Sequence, residues 1–515
     1  MTAIITNQFR IQNLQYAKRD IDSGIDDIFL AVGRASAWDN DTNPPAPNID
    51  PQDEMNARLN FQSMKKVADI VPCVARYNWT SGNTYVAWDN NDPTLATKQF
   101  YVLNQSTFNV YICLRAGSGA STVEPTGTST GNPTEGADGY VWKYLYTITG
   151  AQGDKFLTSD FMPVLRDSSV AAAATAGQIW DYNIVEGGTG YGSAPTVTIE
   201  GDGSGATATA TIDGGVLTGI TVTAVGSGYT YARAVLTGGS ASTEASITPV
   251  LSPISLGREL TGVAVTNAGS SYPASSTLAL TIVGDGFEAA ASASTDGSGT
   301  VSSVSVSDGG YGYTNLSVTV DQSTAGTTAV LTPQFSAVKG GFGYDPVVDL
   351  QAHYLMFNVI LQVADGIDQG GDFVINNDYR QLALIKNPLD TSGTQLKYTS
   401  DTGTAMPFVT VTGGTWIPDD LITGGTSTAQ AYVLYYDSAN TRVYYVQDET
   451  TGFDAFSDGE TLSGPGGSSG TIDSGGHIGV RDIDNFSGRM LYLENRVAVS
   501  RAADQTEDIK LVVQF

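Results

Sequence analysis

The 515-residue sequence predicts a mainly β protein that carries inserted, glycine-rich β-repeat domains. Three observations predict it. Glycine supplies 59 residues and charged residues only 15% of the chain, a balance that favours tight turns and strands over helical bundles. Period-2 alternation of small, β-branched and hydroxyl residues dominates the middle of the chain, as in TVTIEGDGSGATATATIDGG at 196–215. A short phrase also recurs there: GGTGYGSAP, GSGYTYAR, GSSYPASS, GGYGYTNL and GGFGYDP. Its tyrosines Tyr191, Tyr229, Tyr272, Tyr313 and Tyr344 mark a loose period of about 40 residues, the spacing of a repeated supersecondary unit.

In chain order, residues 1–35 alternate polar and apolar and end in the strand-like DDIFLAVGR. The stretch WDNDTNPPAPNIDP (38–51) is rich in proline and Asn/Asp, which favour turns. A helix is expected next. Asp50 is a good N-cap, Pro51 a good first residue, and Asp53 and Glu54 suit the first turn. Ala57, Phe61, Met64, Ala68 and Val71 extend it as one apolar face, with Lys65 and Lys66 near its end.

Strands return from 70 to 116, including a hairpin over 99–116. A Gly/Ser/Thr/Pro loop runs over 117–137. In DGYVWKYLYTIT, Tyr140, Trp142, Tyr144 and Tyr146 alternate with Val141, Lys143, Leu145 and Thr147, so one strand face is expected to be aromatic, as core or interface. The expected division is a body at 1–182, an inserted repeat domain at 183–345, the body again at 346–400, a second Gly/Thr-rich β insertion at 401–477, and the C-terminal part of the body at 478–515. Within the second insertion, 418–437 is weakly echoed by 457–473. Ile509, Leu511, Val513 and Phe515 alternate to the last residue, which predicts a paired strand facing a core.

The formal charge of −28 repels nucleic acid and anionic lipid, so neither is an expected partner. No apolar run reaches membrane-spanning length, and the first residues lack a signal core, so synthesis and folding in a cytoplasm are expected. Cys73 and Cys113 have no metal spacing and are expected as buried free thiols. The two histidines, His353 and His477, belong to no catalytic motif, and no nucleophile elbow or phosphate-binding loop occurs. Asp39, Asp41 and Asn43 imitate the start of a calcium loop, but Pro44 stands where glycine is required. The GDG triplets at 201–203 and 284–286 read as tight turns. No catalytic residue, metal or cofactor is expected.

Four stretches resemble one family: AVGRASAWDNDTNPPAP (31–47), DGYVWKYLYTI (138–148), RQLALIKNPL (380–389) and GRMLYLENR…ADQTEDIKLVVQF (488–515). They are similar to the homodimeric baseplate wedge subunit of contractile-tailed phages of the T-even type. The resemblance implies an α+β body with a β-sandwich core and a structural, non-enzymatic role in the virion. It further implies self-association as a homodimer, contacts with other wedge subunits, and transmission of the baseplate rearrangement that releases sheath contraction. Tyr140, Trp142, Tyr144, Tyr492, Asn495 and Arg496 are the candidate interface or core residues. The alternative is a host-surface glycan-binding or glycan-cleaving tail protein with the repeats as its working part.

Overall fold

The computed structural model describes the chain except residues 1–4, 49, 256–257, 285–286, 312, 314–315, 322–325, 337–338, 393, 395, 475–477 and 480. The protein is mainly β, with 45% strand against 11% helix. It divides into two compact units. One comprises Met1–Ile11 and Val74–Ala352, the other Gln12–Cys73 and His353–Phe515. The boundaries at 73/74 and 352/353 leave the glycine-rich tract inside the first unit and the second Gly/Thr-rich stretch inside the second.

The first unit contains a four-stranded antiparallel sheet in the order Thr134–Glu135, Val141–Thr147, Asn109–Arg115, Tyr101–Leu103. The expected hairpin over 99–116 is present as its last two strands. Two apolar clusters form around this sheet. One gathers Tyr85, Tyr111, Tyr140, Trp142 and Tyr144, the other Val110, Ile112, Leu145, Tyr146 and Ile148. Tyr146 therefore does not share a cluster with Tyr140, Trp142 and Tyr144, contrary to the alternation. The register shifts between Val110 and Tyr111, so that Leu145 is an extra residue opposite them and the side-chain order flips.

The glycine-rich tract builds two copies of one six-stranded module, the first running from Ile179 to Leu251 and the second from Leu260 to Phe335, so the repeated unit is twice the length that the tyrosine spacing predicts. In the first copy Val216–Ser227, Ser204–Asp213, Thr196–Gly201 and Ala232–Thr237 pair in that order, and Ile179–Glu186 pairs with Ser246–Leu251. In the second the order is Leu260–Asn267, Val330–Phe335, Leu316–Val320, Thr277–Gly284, Phe287–Thr295, Val301–Tyr311. Every pairing of the first copy recurs in the second. The tyrosines explain why the shorter period shows in sequence: they are of two kinds that alternate. Tyr191 and Tyr272 each donate their backbone N–H to a turn glycine, Gly215 or Gly299, at 3.0 Å. Their hydroxyls accept from Ala245 N–H at 2.8 Å and from Ala329 N–H at 2.9 Å. Tyr229 and Tyr313 instead bond through their backbone N–H to Gly177 and Arg258 at the start of each module. All four rings are buried, as one large side chain per small unit requires.

Gly188 and Gly269 occupy equivalent places, at φ +63° and +65°, where an added Cβ would lie 2.5 and 2.6 Å from the carbonyls of Thr243 and Thr327. Only glycine fits such a position. Tyr272→Phe should strand the buried Ala329 N–H and cost about 1–3 kcal/mol. Tyr191→Phe should cost less, because its bond is only part-buried. Thermal unfolding of the two variants checks the ranking. The tract also shares a core with its flank: Val250 and Phe342 lie in the cluster with Trp88, Leu103 and Val110, and Phe342 packs edge-on to Trp88 at 5.1 Å.

The second unit holds a five-stranded antiparallel sheet in the order Thr402–Thr404, Phe61–Lys66, Ile28–Gly33, Asp378–Lys386, Arg489–Ser500. A further sheet places Tyr354–Leu361 between the C-terminal strand Glu507–Gln514 and the strand Asp69–Ala75. Ile509 and Leu511 are buried and Val513 and Phe515 half-buried, so the expected C-terminal strand is present and faces a core. Residues 408–472 curl into a barrel, since Phe408–Thr412 pairs with both Ser469–Ile472 and Arg442–Val446. Val409, Ile422, Val433, Val443, Leu462 and Ile472 fill it. The echo between 418–437 and 457–473 corresponds to two hairpins joined through their first strands, Leu421–Gly424 and Thr461–Ser463.

Two expectations near the N-terminus are corrected. Asn7–Asp22 is a helix, not alternating strand. Only Ile11 and Leu14 of it are buried, too narrow a stripe to outweigh its polar majority in the sequence. The helix at Pro51 is capped as expected, Asp50 accepting from Gln52 and Asp53 N–H at 3.0 and 2.9 Å. It ends at Leu59, however, and Phe61 and Met64 lie in a strand. The Asn60 carbonyl accepts the Arg34 N–H at 3.0 Å, which turns the chain into the sheet beside Ile28–Gly33. The first four residues of that strand are buried in succession, so no two-residue alternation marks it. Lys65 and Lys66 pair with Asp365 and Asp27 instead of lying near a helix end.

Candidate interaction site

Three segments far apart in sequence meet in the second unit. The strand Ile28–Gly33 ends at Arg34, whose φ of +58° turns the chain into the irregular segment that follows. The Arg34 guanidinium lies 3.7 Å over the Trp38 ring. Trp38 donates its indole N–H to the Arg496 carbonyl at 3.0 Å, and Asn495 Nδ2 donates to the Pro45 carbonyl at 3.0 Å. Asn495 Oδ1 in turn accepts from Gln381 at 2.8 Å.

The centre of this assembly is Arg380. Its buried guanidinium reaches Asp41 through Nε at 3.0 Å and Nη2 at 2.9 Å, Asp378 at 2.9 Å, and the Ala35 carbonyl. Arg380, with the Trp38 N–H, holds the Asp41 carboxyl below its usual range. Asp41, the central member of the calcium-like triad, is therefore committed to an arginine. A charged residue inside the apolar run DYRQLALIK was the available signal for Arg380; nothing in the sequence named its partner.

Beside this junction, Tyr492 donates to Glu494 at 2.9 Å, and burial together with that carboxylate pushes its phenol up to about 12. Tyr379 donates to Glu507 at 2.7 Å and is raised by burial and by the same kind of neighbour. Several buried atoms here have no hydrogen-bond partner among the described residues: Gln381 Oε1, Arg496 Nε, Arg501 Nε and Nη1, and Glu507 Oε1. A cleft of about 570 Å³ is lined by Tyr379, Glu494, Arg496 and the residues Glu507–Leu511. Of the candidate residues, Tyr492, Asn495 and Arg496 are thus brought together, half-buried, at this site.

Tyr140, Trp142 and Tyr144 lie elsewhere, in the core of the first unit, where they are 0%, 2% and 7% exposed. Tyr140 stacks on Trp142 and donates to the Gly119 carbonyl at 2.8 Å. Asp138 fastens the loop that follows the hairpin, accepting from Ser121, Thr122 and Val123 at 2.8–3.0 Å. Lys143, on the same strand and 4% exposed, donates to the carbonyls of Thr130 and Gly131. Burial pulls its amine down to about 8, with Asp349 acting the other way. An unfolded lysine titrates near about 10.4, so between these values the folded chain holds fewer protons and stability should rise with pH. Urea unfolding at about pH 7 and about pH 10 should show that rise in the wild type and its loss in Lys143→Met.

Cys73 and Cys113 are buried free thiols, and burial raises both. In the first GDG triplet Asp202 is a turn residue that accepts from the Thr230 and Tyr231 N–H groups at 2.9 and 3.2 Å. The second triplet is only partly described, since 285–286 lie outside the described residues, as does His477. His353 accepts the Phe515 N–H on its backbone carbonyl at 2.9 Å. Among the described residues no group of three or more His, Cys, Asp or Glu side chains is placed to hold a metal ion, and no helix is long and apolar enough to cross a membrane. Neither the known protein-family models nor the curated proteins contain a match to this chain.

Proposed function

We propose that this protein is a structural subunit of the baseplate wedge of a contractile phage tail. It acts as a homodimer that links neighbouring wedge proteins and transmits their rearrangement when the tail contracts. One observation supports the reading above the others. Three of the four stretches that resemble the wedge subunit, 31–47, 380–389 and 488–515, converge on one junction. There Trp38 bonds to Arg496, Pro45 to Asn495 and Asp41 to Arg380. Segments that form one polar junction across hundreds of residues behave as a single interlocked body, which suits a part that carries load.

The role needs no reaction chemistry. In the repeat tract Tyr191, Tyr229, Tyr272 and Tyr313 are buried, which weighs against an exposed aromatic platform for sugars. The test is cryo-electron microscopy of tails carrying a tagged copy of the chain, with light scattering of the purified protein at micromolar concentration. Density for the tag at the baseplate periphery and twice the chain mass are expected. A tag on a fibre tip, or a protein that stays monomeric alone and in the particle, would overturn the proposal.

A further inference from the structure

The C-terminal strand Glu507–Gln514 is an edge strand, paired with Tyr354–Leu361 on one side. Phe515 N–H bonds to the His353 carbonyl at 2.9 Å. The two-residue period of antiparallel pairing then turns the N–H and C=O groups of Glu507, Ile509, Leu511 and Val513 toward the same neighbour. Those of Asp508, Lys510, Val512 and Gln514 point the other way, and no backbone group among the described residues pairs with them.

The 570 Å³ cleft runs along this strand, with Glu507–Leu511 in its wall facing Glu494 and Arg496. Two polar atoms of its wall lack partners among the described residues. Glu507 is only 8% exposed and has an unused Oε1, and the buried Arg496 Nε has no acceptor. A bare strand edge is a site for pairing with another chain, and buried polar atoms without partners are uncommon. A simple ion would satisfy Glu507 or Arg496 but not both, and would leave the strand edge unpaired. An extended polypeptide offers alternating donors and acceptors along its whole length and can satisfy all of them.

We propose that this cleft receives an extended segment of a neighbouring subunit, which adds to the sheet as a strand alongside Asp508–Gln514 and brings a basic side chain to Glu507. The charge of the wall supports a basic segment: Glu494, Glu507 and Asp508 face Arg496 and Lys510, and Lys510 is already paired with Asp508. The inference rests on the assembly role proposed above.

Hydrogen exchange, read by mass spectrometry on the peptide covering 507–515, tests it in the purified protein and in assembled tails. The amides of Asp508, Lys510, Val512 and Gln514 should exchange at least about tenfold more slowly in the tail. Val512→Pro removes an outward N–H and no ladder bond. It should leave the thermal transition in place and abolish incorporation. Glu507→Gln, which keeps the shape and removes the charge, should reduce incorporation and serves if the proline variant does not fold. A chain present in the tail with exchange unchanged from the free protein overturns this inference alone. A chain absent from the tail overturns the assembly role and this inference with it. Protection already present in the purified protein and lost on dilution would make the occupant a second copy, and overturns the assignment to a neighbouring subunit.

Discussion

Replacing Trp142 by alanine is expected to destabilise the first unit by about 4 kcal/mol. The ring is 2% exposed, stacks on Tyr140 and meets Tyr85 edge-on at 5.5 Å. Alanine would leave a large cavity between rings that are themselves held by hydrogen bonds, with Tyr140 tied to Gly119 and to the Tyr85 N–H. Collapse into the space is therefore costly. The phenylalanine variant separates packing from polarity. The indole N–H of Trp142 is buried and has no partner among the described residues, so Trp142→Phe removes an unsatisfied donor along with some volume. That variant should cost less than about 1.5 kcal/mol. Denaturant unfolding followed by calorimetry gives both values. Equal losses for the two variants would show that the ring contributes through something other than filled volume.

Asp27→Ala is expected to cost about 3 kcal/mol in the second unit. Asp27 is 6% exposed and stands between two ammonium groups, Lys66 and Lys397, each at 2.7 Å. Its backbone N–H donates to the side chain of Asn387 at 2.7 Å. Removing the carboxylate leaves two lysines, each about one-third exposed, turned toward an empty site; their partial hydration keeps the loss from being larger. The pH dependence follows in sign. Burial alone would raise this carboxyl, but the bonds to Lys397 and Lys66 outweigh it and the folded value lies below the unfolded one. The stabilisation is therefore full above about pH 3.9 and fades as pH falls through the lower folded value. Asp27→Asn should flatten that part of the acid-unfolding curve. An unchanged acid limb in Asp27→Asn would mean that other carboxylates dominate acid unfolding.

The parts legible from sequence are those where one residue's neighbours along the chain decide its state. Asp50 and Pro51 start a helix because an N-cap acts over three residues. The C-terminal strand and the strands of the tract show alternation because water lies on one side of them, and the glycine turns mark where each ends. The core tyrosines of the tract stand out because nothing else nearby is large. These signals established a mainly β chain with a repeated, turn-rich middle.

Tertiary structure decided the rest, because the partners concerned are remote. Phe61 and Met64 carry helical spacing, but the first four residues of their strand are buried in succession, and pairing with Ile28–Gly33 on one edge and Thr402–Thr404 on the other overrides the local pattern. The tyrosines repeat at about 40 residues, yet their backbone partners alternate, and those partners together with the recurring strand pairings reveal a unit twice as long. Val250 and Phe342 belong by sequence to the repeat tract and by packing to the core around Trp88. Arg380 and Asp41 are 339 residues apart. Their meeting depends on the order in which strands are laid into a sheet, which follows from the burial of all the strands at once and not from the composition of any one.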